Sequence, residues 1–180
     1  MRLSVASLSV PSRATFALRV VVGVGLLTLA AKTEIPFWPV PMTLQTLAVV
    51  LLPFLLGPRS GVTSVAGYLA VGAAGLPVFA GAVAGPIYMA GPTGGYLAGF
   101  LVAAVLIAVL QPRVAHSVLL KALAVVAAVA VMYVCGLAWL ATVVGTGKVL
   151  ALGLLPFLPA EAVKIALAVT VLALLPRRAA

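Results

Sequence analysis

Few side chains in this sequence are equipped for chemistry. It has two glutamates, one histidine and one cysteine, and neither Asp nor Asn. His116 falls between Arg113 and Lys121 with no carboxylate or cysteine nearby, so a catalytic triad or metal site is not expected around it. Cys135 stands alone, which excludes an intramolecular disulfide and a CxxC redox or metal pair and leaves it a packing residue. The run Gly145-Thr146-Gly147-Lys148 resembles a phosphate loop only in part: the leading glycine is missing and Val149 stands where a hydroxyl is needed. It reads as a turn. No cofactor, no metal and no ATPase activity are expected of the chain itself.

Glu161 and Lys164 are the exception. Three residues apart, they share one face of a helix about one turn from each other. An ionisable group inside an apolar helix is costly and usually faces a cavity or a partner. The same two residues also have a purely structural use. Pro159 suits a first helical turn, Glu161 would then favour the positive helix terminus, and Lys164 could snorkel to an interface. Residue types alone do not choose between these uses.

Two further stretches carry polar groups in apolar surroundings. In Gly91-Pro92-Thr93-Gly94-Gly95-Tyr96, the glycines allow close approach of a ligand or a helix, Thr93 can cap a helix start, and Tyr96 offers a ring with a hydroxyl. In Pro39-Val40-Pro41-Met42-Thr43-Leu44-Gln45-Thr46, the buried amide expected of Gln45 needs a partner, either a neighbouring helix or a polar ligand.

The elements that must hold these groups follow from composition. Of 180 residues, 65% are hydrophobic and only 7% charged, against about 25% charged in an average soluble domain. Too little polar surface is available to cover a water-soluble fold, so the solvent is lipid. Stretches such as Leu97 to Leu110 and Leu119 to Leu140 are apolar on every face, which argues for helices and against a barrel. The expected fold class is an all-α membrane protein, a compact bundle of six transmembrane helices. Crossings are expected at 16–31, 42–57, 61–76, 93–110, 118–141 and 159–175. They form one domain, 16–176, between a lead-in at 1–15 and a tail at 177–180.

A net charge of +9 does not imply nucleic acid, because the eleven Lys and Arg form no continuous stripe. Six crossings instead put Arg2, Arg13, Arg19, Arg59, Arg113, Lys121, Arg177 and Arg178 on one side and leave Lys32 and Lys148 on the other. Both termini are therefore expected in the cytoplasm. The links on that side, such as Gly57-Pro58-Arg59-Ser60, read as tight turns. The outward links, 32–41, 77–92 and 142–158, are longer and rich in Pro, Gly and aromatics, and suit the cover of an outward-facing pocket. Ala66, Ala70 and Ala74 form a small-residue stripe that suits packing inside the bundle.

Taken in order, these stretches resemble the BioY family, the biotin-binding S components of energy-coupling-factor transporters. The resemblance runs through Val40-Pro41-Met42-Thr43-Leu44-Gln45-Thr46-Leu47-Ala48-Val49, Leu56-Gly57-Pro58-Arg59, Gly75-Leu76-Pro77-Val78-Phe79-Ala80-Gly81 and Gly91-Pro92-Thr93-Gly94-Gly95-Tyr96-Leu97. It ends in Pro156-Phe157-Leu158-Pro159-Ala160-Glu161-Ala162-Val163-Lys164, where Ala160 and Glu161 replace the usual Gly and Asp. The resemblance implies a six-helix subunit of a bacterial or archaeal cytoplasmic membrane, holding biotin from outside, with Glu161 and Lys164 on polar atoms of the ligand. It also implies a transmembrane coupling (T) subunit and two ATPase subunits as partners. The first crossing offers Gly23 and Gly25 in place of a clean Ala-x-x-x-Ala docking face. The candidate substrate-binding residues are Glu161, Lys164, Gln45, Thr43, Phe79, Gly91, Thr93 and Tyr96. Another small-solute carrier or channel is the competing reading, and a membrane enzyme is the weakest.

Overall fold

The computed structural model describes residues 12–175. The lead-in up to residue 11, the tail from 176, and with them Arg2, Arg177 and Arg178, lie outside the described residues. In chain order the elements are α1 (Arg13–Lys32), β1 (Glu34–Ile35), β2 (Met42–Thr43), α2 (Gln45–Leu56), α3 (Pro58–Ala73) and α4 (Gly85–Ala90). There follow α5 (Gly94–Val114), α6 (Val118–Val144), α7 (Val149–Gly153), a 3-10 turn (Leu155–Phe157) and α8 (Leu158–Leu174).

Among the described residues, four stretches are long and apolar enough to cross a membrane: α1, α5, α6 and the run from Val149 to Leu174. The second and third expected crossings, α2 and α3, have 12 and 16 residues. At about 1.5 Å per residue they reach roughly 18 and 24 Å, short of a hydrocarbon core of about 30 Å.

Several boundaries differ from expectation for local reasons. Helix α1 starts at Arg13, inside the expected lead-in, because the Ser12 side chain caps it by accepting from the Thr15 amide at 3.2 Å. The second crossing starts at Gln45 rather than 42, since the chain bends over residues 38–40 and Met42–Thr43 then pairs antiparallel with Glu34–Ile35. Pro58 lies inside α3, as its missing N–H suits a first turn, so the expected four-residue turn shrinks to Gly57 alone at φ 95°. Gly75, also at φ 95°, follows the end of α3.

Packing depends on small residues. Helices α5 and α6 run antiparallel, and a Cβ added at Gly95 would stand 2.3 Å from Cβ of Trp139. One at Gly136 would stand 2.3 Å from the Tyr96 ring. Both glycines are therefore needed for the helices to approach. The buried stripe of α6 (Ala124, Val125, Ala128, Val129, Met132, Tyr133, Gly136, Leu140) repeats at helical spacing, while Leu119, Val126 and Val134 point outward. Outward apolar side chains are the lipid-facing pattern that composition required.

Two of the expected loop cations prove to be helix caps. Arg19 donates to the Leu56 carbonyl at 3.3 Å, at the end of α2. Lys121 is a correction: it is buried in the first turn of α6 and donates to the Leu172 carbonyl at 3.2 Å, near the end of α8. Terminal helix carbonyls lack intrahelical partners and carry partial negative charge, so a cation from a neighbouring helix satisfies both needs. The alanine stripe is also corrected, since Ala70 and Ala74 are exposed rather than packed inside the bundle.

Candidate functional site

Helix α8 buries one narrow stripe, Glu161, Lys164, Ala168 and Leu172, against α2 and α6. The charged pair is thus on the inner face, and Lys164 does not snorkel. It forms an ion pair with Glu161 and donates to the Thr43 carbonyl at 3.0 Å and to the Thr46 hydroxyl at 2.8 Å. Thr46 in turn donates to the Glu161 carboxylate at 3.1 Å. Glu161 and Lys164 are 4% and 7% exposed, so this closed circuit removes most of the penalty of burying two charges.

The circuit forms part of the lining of a cavity of about 40 Å³, roughly the room for one water molecule. Of the eight candidates, Glu161, Lys164, Thr43, Gln45, Thr93 and Tyr96 line it, and Phe79 and Gly91 do not. Val40, Pro41, Thr46, Phe100, Tyr133 and Phe157 complete the lining. Four aromatic rings around a small cluster of polar groups make a site suited to a flat or cyclic ligand with a few hydrogen-bonding atoms.

The two candidates outside the lining build it from behind. Phe79 is fully buried, stacked on Tyr88 at 4.9 Å and edge-on to Tyr68 at 5.3 Å. A Cβ at Gly72 would overlap its ring, so the glycine makes its socket. The Gly91 carbonyl accepts from the Trp139 indole at 2.9 Å, tying the start of α5 to α6. Thr93 makes no cap hydrogen bond; its side chain lies at the cavity and beside the Tyr88 phenol. Tyr96 donates to the Gly153 carbonyl at 2.7 Å, so its ring lines the cavity and its hydroxyl is already used.

Near the C-terminal end of α1, Lys32 donates to the Gly81 carbonyl at 2.7 Å, and the Glu34 carboxylate accepts from the Gly81 amide at 3.0 Å. This clasp joins two links expected to cover the pocket. Burial raises the phenol of Tyr88 above its ordinary range, a hydrogen bond with Thr93 opposes the rise, and the Glu34 carboxylate adds to it. No group of His, Cys, Asp and Glu able to hold a metal occurs among the described residues.

A family model described as the BioY family matches residues 4–180. The chain belongs to the BioY family.

Among BioY relatives, a probable biotin transporter BioY of Pyrococcus horikoshii is 38% identical over 148 residues, 82% of this chain and 88% of that one. One from Rickettsia prowazekii is 30% identical over 147 residues, 82% of this chain and 76% of that one. The fold is similar to a crystal structure described as the S-component for biotin from an ECF-type ABC transporter, with a TM-score of 0.80 and 24% identity. The likeness covers 91% of this chain and 93% of that one. The relatives are named as transporters, in keeping with the expectation of a non-enzymatic membrane protein.

In this BioY chain, sequence reasoning missed Thr46, Tyr133 and Glu34. Tyr133 had a usable signal, being the one phenol in the otherwise apolar α6. Thr46 and Glu34 had none, because their partners Glu161 and Gly81 are 115 and 47 residues away.

Proposed function

We propose that this BioY chain binds biotin and serves as the substrate-specific subunit for its uptake. The observation that carries the reading is the Glu161–Lys164–Thr46 circuit inside an aromatic-lined cavity. Biotin has a ureido ring with two N–H donors and a carbonyl, and a tail ending in a carboxylate. A buried carboxylate accepts from such N–H groups, and a buried ammonium meets an acceptor or an anion. The names of the relatives support the same substrate. The ligand displaces the internal ion pair and takes over its hydrogen bonds, with Glu161, Lys164, Thr43, Thr93 and Tyr96 around it.

The subunit crosses a bacterial or archaeal cytoplasmic membrane six times with both termini in the cytoplasm, α2 and α3 being short crossings. The distribution of Lys and Arg supports this orientation. Transport energy comes from a transmembrane coupling subunit and two ATPase subunits, since the chain has no phosphate loop. The exposed Ala70 on α3 and Ala74 just after its end offer a close-packing face to such a partner.

Titration of biotin into the purified protein by calorimetry tests the substrate. Saturable one-to-one binding is expected. No binding of biotin, with tight binding of a different solute at the same cavity, would overturn the reading.

A further inference from the structure

Gln45 does not face the cavity with a free amide. Its Nε2 donates to the Tyr68 hydroxyl at 2.8 Å, and its Oε1 accepts from the Thr43 hydroxyl at 3.0 Å. Tyr68 in turn donates to the Val78 carbonyl at 3.2 Å. Gln45 is 3% exposed and Tyr68 fully buried, so no water competes for these groups.

The direction of every bond in this chain is forced. A carbonyl only accepts, so Tyr68 must give its proton to Val78 and its oxygen must accept. Gln45 must then turn its NH₂ to Tyr68 and its carbonyl to Thr43. Thr43 must spend its proton on that carbonyl. One of the two Thr43 lone pairs is already taken by the Gln45 backbone N–H at 3.2 Å. What remains, on a side chain that lines the cavity, is a single acceptor site.

The origin of this polarity lies outside the cavity. Val78 precedes Phe79, whose ring is locked in its socket beside Gly72, and lies three residues from Gly81, which Lys32 and Glu34 grip. The loop carbonyl is therefore held in place from both sides.

We propose that Tyr68 and Gln45 are positioning residues that fix Thr43 as a hydrogen-bond acceptor, so that the cavity selects a ligand with an N–H donor at that point, such as a cyclic urea or amide. This rests on the proposed ligand being biotin and specifies how one ureido nitrogen is recognised. Without Tyr68 the Gln45 amide is free to turn over. Thr43 would then accept from Nε2 and direct its own proton at the ligand, meeting N–H with O–H.

The test compares biotin with its two analogues methylated at one or the other ureido nitrogen, in the unaltered protein, in Tyr68→Phe and in Gln45→Met. In the unaltered protein biotin should bind more tightly than both analogues. In each variant biotin should weaken by about tenfold, and one analogue should keep its affinity, so that one selectivity ratio collapses towards unity. A residue that merely supports the fold would weaken all three ligands together. Both ratios unchanged in both variants would overturn the proposal while leaving biotin as the substrate. Should one variant fail to elute as a folded, monodisperse species, the other decides. Failure of biotin to bind the unaltered protein would refute the substrate and this proposal together.

Discussion

At the scale of single residues, the protein protects two buried charges by giving them to each other. Removing one partner leaves the other uncompensated, at a cost of about 3–5 kcal/mol in stability. Glu161→Gln and Lys164→Met should therefore each lower the thermal midpoint in detergent and weaken biotin binding by about 2–5 kcal/mol. The double variant separates the two effects: it should regain much of the stability and none of the binding, read by thermal unfolding and calorimetry. Glu161→Asp keeps the charge and should bind nearly as well. Native affinity in both single variants would reduce the pair to a structural bridge. The pair was legible in the sequence because a spacing of three is a local property. Its third member was not, since Thr46 reaches Glu161 only through the packing of α2 on α8. Phe79 and Gly91 were legible as important but not in role, because a residue that shapes a site from behind has the same neighbours in sequence as one that lines it.

At the scale of elements, the GPTGGYL stretch is a packing device that aims Tyr96. Gly136→Ala would push a methyl into the Tyr96 ring, and overpacking of this kind costs about 1–3 kcal/mol. A lower thermal midpoint together with weaker biotin binding is expected, whereas Gly147→Ala, at an open position in the α6–α7 turn, should change neither. Equal effects of the two substitutions would show that the close approach is unimportant. Helix interiors were readable from unbroken apolar runs. Their ends were not, because caps such as Lys121 on Leu172 come from another helix, and the β1–β2 pair is only two residues long on each side.

At the scale of the whole molecule, exposed apolar side chains and capped helix ends describe one body built for a bilayer. On the proposed topology, with both termini inside, a cysteine at position 148 should react with an impermeant reagent added outside, and one at position 59 should not, in a background with Cys135 replaced. The reverse pattern would invert the topology. The purified chain should hydrolyse no ATP, and hydrolysis abolished by Lys148→Ala would contradict the division of labour with separate ATPases. The cavity of about 40 Å³ has one more consequence, because ligand sites usually offer about 300–1,000 Å³. On the proposed function, binding a ligand of biotin's size therefore includes opening this cavity, and the apparent affinity is lower than the intrinsic one by the cost of that opening. Phe157, which lines the cavity and packs edge-on against Phe37 at 5.7 Å, is one of the rings such an opening must move. Trimming that ring should lower the cost of opening, so a smaller side chain at Phe157 should speed association of the ligand.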